Sequence, residues 1–217
     1  MTKKDFMNKE VLSQIILFTE SNCKKHDISH DIDHIRRVAK NALEIHKNEG
    51  GDIEIILTAA YLHDLVIYPK DDPRNKNATD DSAKMAEKFL NRLPGYPKNK
   101  IPAVVKCIKE CSFSKNITPE TLEGMIVRDA DMLESVGVIA IARTFASSGV
   151  MGKKLFNHID PFCENRKPEP YQYALDLFPS RLFLVEEKMF TKTGKQIAKQ
   201  RADFLRRFWE QAKKELT

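Results

Sequence analysis

Ala60-Tyr61-Leu62-His63-Asp64 closes a segment, Ile53 to Leu65, that is apolar almost throughout until an imidazole and a carboxylate interrupt it. A run of that kind reads as a helix buried on several faces. Ile56, Ala59 and Ala60 lie behind His63 on one helical face. Asp64 follows directly, and an aspartate at such a place is rarely buried without a partner. Two other stretches carry matching chemistry. Upstream, His30-Asp31-Ile32-Asp33-His34-Ile35-Arg36-Arg37-Val38 opens an amphipathic helix in which Ile35, Val38, Ala42 and Ile45 recur at three and four residues. Downstream, Arg128-Asp129-Ala130-Asp131-Met132-Leu133-Glu134 lies in another apolar helical pattern. Two imidazoles and two carboxylates, His34, His63, Asp64 and Asp131, suit one hard or borderline divalent cation. Single ligands this far apart in sequence need a folded core to bring them together, unlike a local zinc loop that folds around its metal.

The rest of the chain is read outward from these stretches. Val11 to Phe18 is apolar enough for a first helix. Gly50-Gly51-Asp52 ends the His34 helix and caps the next. A polar, proline-marked loop runs from Tyr68 to Ala78, and Thr79 or Asp80 can cap a helix to Leu93. Leu93-Pro94-Gly95-Tyr96-Pro97 is a turn, and Ile101 to Cys111 is helical. Thr118-Pro119-Glu120-Thr121 starts a long helix that runs past Arg143. Residues 149–170 mix Gly, Pro and charge and read as an irregular excursion; Tyr171 to Met189 and Thr193 to Leu216 read as a closing helical pair. No stretch alternates as a strand and no internal repeat appears. The expectation is an all-α, single-domain helical bundle over residues 1–217, with the metal-site core at about 26–147 and the closing pair at 171–217.

Composition narrows the function classes. The chain has 217 residues, 41% of them apolar, enough for a sizeable core. No apolar run is long enough to span a bilayer, and the N-terminus is not a signal-peptide core. Cys23, Cys107, Cys111 and Cys163 form no dense framework, so a reducing cytoplasm is the expected setting. The net charge of +5 is carried by the segment from Lys192 onward. A basic tail can attract nucleic acid, but a solvated helix face explains it more simply. No phosphate-binding glycine loop, Gly-x-Gly-x-x-Gly or Gly-x-Ser-x-Gly occurs. This removes the usual nucleoside-triphosphatase, dinucleotide and serine-hydrolase readings. His46 and His158 stand alone and receive no role; Cys107 and Cys111 share a helix face but lack further soft ligands nearby.

The three quoted stretches resemble the HD superfamily of metal-dependent phosphohydrolases. The resemblance covers residues 26–210. Val136 to Phe145, Met189 to Gly194 and Ile197 to Arg201 look like a subgroup of small stand-alone bacterial and archaeal members. Those members act on nucleotide phosphates. Periodicity alone does not choose between the two downstream aspartates, which point about 200° apart on a helix. Asp129 shares the apolar stripe of Leu122, Ile126, Leu133 and Val136; Asp131 sides with Val127 and Val138. The resemblance favours Asp131, in its Ala-Asp-x-Leu setting, and leaves Asp129 beside the ligands or on the substrate side. Where many relatives carry His-Ser-Phe, this chain has Cys111-Ser112-Phe113-Ser114, which implies a mononuclear site. Ile67 to Pro73 resembles a Pro-Lys variant of the subgroup.

The implied cofactor is one divalent ion from among Mn, Mg, Co, Ni and Fe. Asp64 or Asp129 is the candidate general base. Arg37, three residues after His34, and Lys70, after the dyad, are the candidate phosphate clamps. Arg143, about 18 Å beyond Asp131 along a straight helix, is a remote substrate group or a structural ion pair. The expected partner is a small phosphorylated molecule, a nucleotide, with no membrane and no nucleic acid; a homodimer stays open. A non-catalytic module that binds a nucleotide or signalling phosphate is the alternative.

Overall fold

A computed structural model describes residues 7–23, 31–68, 72–112, 115 and 117–216. Its described residues form α1 (Lys9–Asn22), α2 (Ile32–Glu49), α3 (Ile53–Leu62), α4 (Ala78–Arg92), α5 (Ile101–Glu110), α6 (Leu122–Met132), α7 (Val138–Val150), α8 (Leu177–Ser180) and α9 (Lys192–Leu216). Among them there is no strand, only an isolated bridge between Lys154 and Tyr173. The fold is all-α. The chain divides into two compact units, Met1–Asp131 and Met132–Thr217.

The first unit is built as the apolar periodicity requires. Ile35, Val38, Ala42 and Ile45 are all fully buried, as are Ile56, Ala59, Ala60 and Leu62. α3 packs on α1, α2 and α5, and α4 packs on α5. Gly50 and Gly51 take positive φ, +80° and +90°, which lets the chain reverse. The Asp52 carboxylate then accepts from the Glu54 and Ile55 amides and opens α3. α4 begins earlier than its polar residues suggest. A 3₁₀ turn, Pro73–Asn77, leads into Ala78, so Thr79 and Asp80 lie inside the first turn and do not cap it.

The second unit corrects two expectations. The long helix past Arg143 does not form. α6 starts at Leu122, ends at Met132 and gives way to a 3₁₀ turn at Leu133–Ser135; α7 begins at Val138. Val136 is extended and Gly137 has φ +88°, a conformation that breaks any helix. Arg201 lies against Gly137, where an added Cβ would meet its side chain at 3.0 Å. Arg143 therefore does not continue the Asp131 helix. It donates to the Glu134 carbonyl at 3.2 Å and lies 3.9 Å from the Glu134 carboxylate. Tyr171 to Met189 is likewise not one helix. It is the single turn α8 and two 3₁₀ turns, Leu182–Leu184 and Glu186–Lys188. Pro179 withholds a backbone donor there. Aromatic packing takes over as the organising force: Phe178, fully buried, meets Phe145, Phe183, Phe208 and Trp209 at ring-centre distances of 5.5–6.4 Å.

The excursion is held by a buried carboxylate. Asp176 is inaccessible and accepts from Arg166 Nη2 at 2.7 Å and from the Glu169 amide at 2.6 Å. Burial pushes its pKa up, but the Arg166 and amide hydrogen bonds outweigh burial and hold it below the usual range. Asp176→Asn removes the buried carboxylate that Arg166 grips and leaves it the more distant Glu169 carboxylate at 3.9 Å. The expected loss of stability at pH 7 is roughly 1.5–3 kcal/mol, that of hydrogen bonds to a charged group, read as a lower urea midpoint. A depressed folded pKa means the stabilisation is present above the unfolded aspartate value, about 3.9, and fades as pH falls below it. The two midpoints should converge in acid. An unchanged midpoint at pH 7 would refute the assignment.

Candidate metal centre

α2 opens with the Asp31 carboxylate accepting from the His34 amide at 2.8 Å. That cap fixes the first turn and turns the His34 ring inward, where it is fully buried. α3 stops one residue before the dyad. His63 is its C-terminal cap, and Asp64 falls in the following turn, where the sequence pattern had suggested continuing helix. The His63 ring supplies the stop: its Nδ1 bonds the Ala60 carbonyl at 2.8 Å, an acceptor that a longer helix would have used. α6 contributes Asp131 from its last turn.

These elements bring four side chains together. His34 Nε2 lies 3.7 Å from Asp64 Oδ2 and 3.6 Å from Asp131 Oδ1. His63 Nε2 lies 3.4 Å and 3.9 Å from the same two oxygens. The imidazole centres are 5.6 Å apart, their planes at 62°. The ligating atoms of His34, His63 and Asp131 all fall within 4.8 Å of one another. Ligands bound at about 2.0–2.2 Å to one shared cation stand about 3–4 Å apart, so the spacing fits.

Hydrogen bonding is the sharper test. The carbonyl on Nδ1 obliges that nitrogen to carry a proton, so in the neutral ring the lone pair is on Nε2. His63 is almost fully buried, and its Nε2 has no hydrogen-bond partner among the described residues. It faces two carboxylate oxygens, both farther than a hydrogen bond of about 2.7–3.2 Å allows. A buried lone pair against two anions is costly unless a cation lies between them. The donor set, two nitrogens and carboxylate oxygens, is what a divalent metal of borderline character takes.

The other sequence candidates are placed as follows. Asp129, on the opposite side of α6 from Asp131, is fully buried and outside the cluster. Asp64 and Asp131 remain partly exposed, at 22% and 27%. Arg37 is half-buried on α2, next to Arg36, which is exposed and paired with Glu20 and Asp33. Lys70 lies outside the described residues, as do Phe113 and Ser114. Cys111 is buried; its thiol is pushed well up by burial and further by the Asp131 and Asp64 carboxylates. Two residues had no role on sequence grounds. Asn41, nearly buried on α2, donates to the Ala130 carbonyl at 3.2 Å. Arg128, 4% exposed, donates to the carbonyls of Glu110, Cys111 and Ser112. Both bond to backbone, an acceptor the sequence does not reveal. The only sign was position: Asn41 lies seven residues after His34, and Arg128 three before Asp131.

The fold and the cluster define a helical protein with a buried His/His/Asp centre able to hold a metal ion. The family follows from comparison. Residues 31–136, a span containing all four clustered side chains, match the HD domain. The chain is 28% identical to YpgQ of Bacillus subtilis over 207 residues, 94% of this chain and 92% of that one. The crystal structure of YpgQ in complex with ADP superposes with a TM-score of 0.71 at 27% identity, covering 95% of each chain. A Listeria innocua protein of known structure gives 0.73 at 28% identity, covering 97% and 98%. A Bacillus thuringiensis protein described as an HD-superfamily hydrolase gives 0.71 at 28%, covering 95% of each. This segment of the chain matches the HD domain, and similar solved structures are described as HD-superfamily hydrolases. Among the described residues, no helix is long and apolar enough to cross a membrane.

Proposed function

We propose that this protein is a metal-dependent phosphohydrolase acting on a nucleotide phosphate ester or anhydride. One divalent cation, Mn, Mg, Co, Ni or Fe, is held by His34, His63, Asp64 and Asp131. The observation that carries the reading is the buried His63 Nε2, which has no hydrogen-bond partner among the described residues and faces two carboxylate oxygens. The nucleotide part is supported by the ADP bound to the B. subtilis relative. When bound, such an ion polarises a phosphoryl oxygen and lowers the pKa of a coordinated water.

The chain's own groups do the rest. Asp64 is partly exposed and Asp129 is not, so Asp64 is the better placed to receive the proton of the attacking water. The water oxygen bonds to phosphorus, the bond from phosphorus to the leaving oxygen breaks, and the proton passes to the carboxylate. Asp129 keeps a supporting place behind Asp131. Arg37 and Lys70 supply the positive charge that a phosphate needs beyond one divalent ion.

The test is turnover of nucleoside mono-, di- and triphosphates with each of the candidate metals, with chelator as control. Metal-dependent release of phosphate or pyrophosphate is expected. Bound ADP in a relative is binding, not turnover, so a regulatory binding module explains it as well. Micromolar nucleotide affinity with no hydrolysis under any metal would replace the enzyme reading with that one. With turnover in hand, Lys70→Ala should raise KM and Arg37→Ala should mainly lower kcat. Each should cost roughly 1.5–3 kcal/mol, about ten- to hundredfold in kcat/KM. Unchanged kinetics in both would remove the clamps.

A further inference from the structure

We infer that Asn41 and Arg128 are positioning residues that set where Asp131 stands relative to the two imidazoles; this rests on the metal-centre reading above. Asp131 sits in the last turn of α6, where the helix no longer supplies partners for its own carbonyls. The carbonyl just before it, that of Ala130, accepts from the Asn41 side chain at 3.2 Å. Asn41 is two turns along α2 from His34, within about 20° of the same face. One hydrogen bond thus ties the Asp131 end of α6 to the helix that carries His34.

Arg128 makes the second tie. It lies one turn before Asp131, and its Nη1 reaches the Glu110 and Cys111 carbonyls at 3.1 Å each and that of Ser112. These close the C-terminal end of α5. α5 packs on α3, whose end presents His63 and Asp64. α6 is therefore held on one side to the helix of His34 and on the other to the helix that backs the dyad. Burial pushes the Arg128 pKa down, so keeping a guanidinium there is unfavourable in itself. An apolar side chain would fill the same space; it would not donate to the carbonyls at the end of α5. Ligand atoms 3.4–3.9 Å apart tolerate little drift, which is what such outer contacts prevent.

The experiment compares the full chain with Arg128→Lys, Arg128→Gln and Asn41→Ala. Mn²⁺ affinity is measured by calorimetry, and the visible absorption of Co²⁺ at saturation reports coordination geometry. We expect Mn²⁺ dissociation constants about 10- to 100-fold weaker in Arg128→Gln and Asn41→Ala. Arg128→Lys should recover part of the loss, and the Co²⁺ bands should change shape in the two weak binders. A merely structural role would lower the melting temperature and leave affinity and spectrum as in wild type. That result overturns the inference while the metal centre stands. Should Arg128→Gln not fold, Asn41→Ala decides, since it removes a neutral side chain and no buried charge. A wild type that binds neither ion overturns the metal reading and this inference together.

Discussion

His63→Ala is expected to abolish metal binding and with it hydrolysis. The ring is buried, its Nδ1 is committed to a carbonyl, and its only remaining function is the lone pair on Nε2. Losing the ion's stabilisation of charge at phosphorus should cost roughly 4 kcal/mol or more, about a thousandfold in rate. Asp64→Ala should do the same, because its Oδ2 faces both imidazoles at 3.4 and 3.7 Å. The fold should survive both changes, since the cores of α2 and α3 are apolar and independent of the site. Thermal melting separates the two effects. A metal at a hundred times its dissociation constant stabilises the native state by about 2.7 kcal/mol, a rise of roughly 5–10 °C for a chain of this size. Wild type should show that rise and His63→Ala should not. Undiminished stoichiometric metal in the purified variants would sink the assignment.

Much of this candidate site was legible because the side chains that cluster there interrupt apolar patterns. His34 stands one residue before Ile35 in a stripe whose members are all inaccessible, and the dyad follows a segment buried from Ile56 to Ala60 and again at Leu62. Asp52, next to two glycines, marked a helix start that the structure bears out. The misses have a common cause. Local pattern did not show the break at Gly137, where φ is +88° and the Arg201 side chain packs 3.0 Å from where a Cβ would stand. Nor can it see that Tyr171 to Met189 is organised by ring packing around Phe178 and not by helical hydrogen bonds. Asn41 and Arg128 escaped for a related reason. Their partners are backbone carbonyls 89 residues away for one and 16–18 away for the other.

The choice between Asp129 and Asp131 turns on the same limit, and it sets the second large effect. On a helical wheel Asp129 occupies the clearer apolar stripe, and it is indeed the more buried of the two. Burial alone would make it the ligand. The helix, however, ends immediately after Asp131, and its last turn is where α6 meets the imidazoles; the Asp131 oxygen is 3.6 and 3.9 Å from them. A partly exposed carboxylate also suits a centre that must admit substrate and water. Asp131→Asn should therefore lower metal content sharply, with activity falling in step, since an amide oxygen is neutral and a weaker donor to a divalent ion. Asp129→Asn should retain metal and reduce turnover by a smaller factor. Elemental analysis of both variants, set beside kcat at saturating Mn²⁺, decides it. Metal lost from Asp129→Asn and kept in Asp131→Asn would move the ligand to Asp129. It would also show that a fully buried carboxylate, and not the one standing beside both imidazoles, holds the ion.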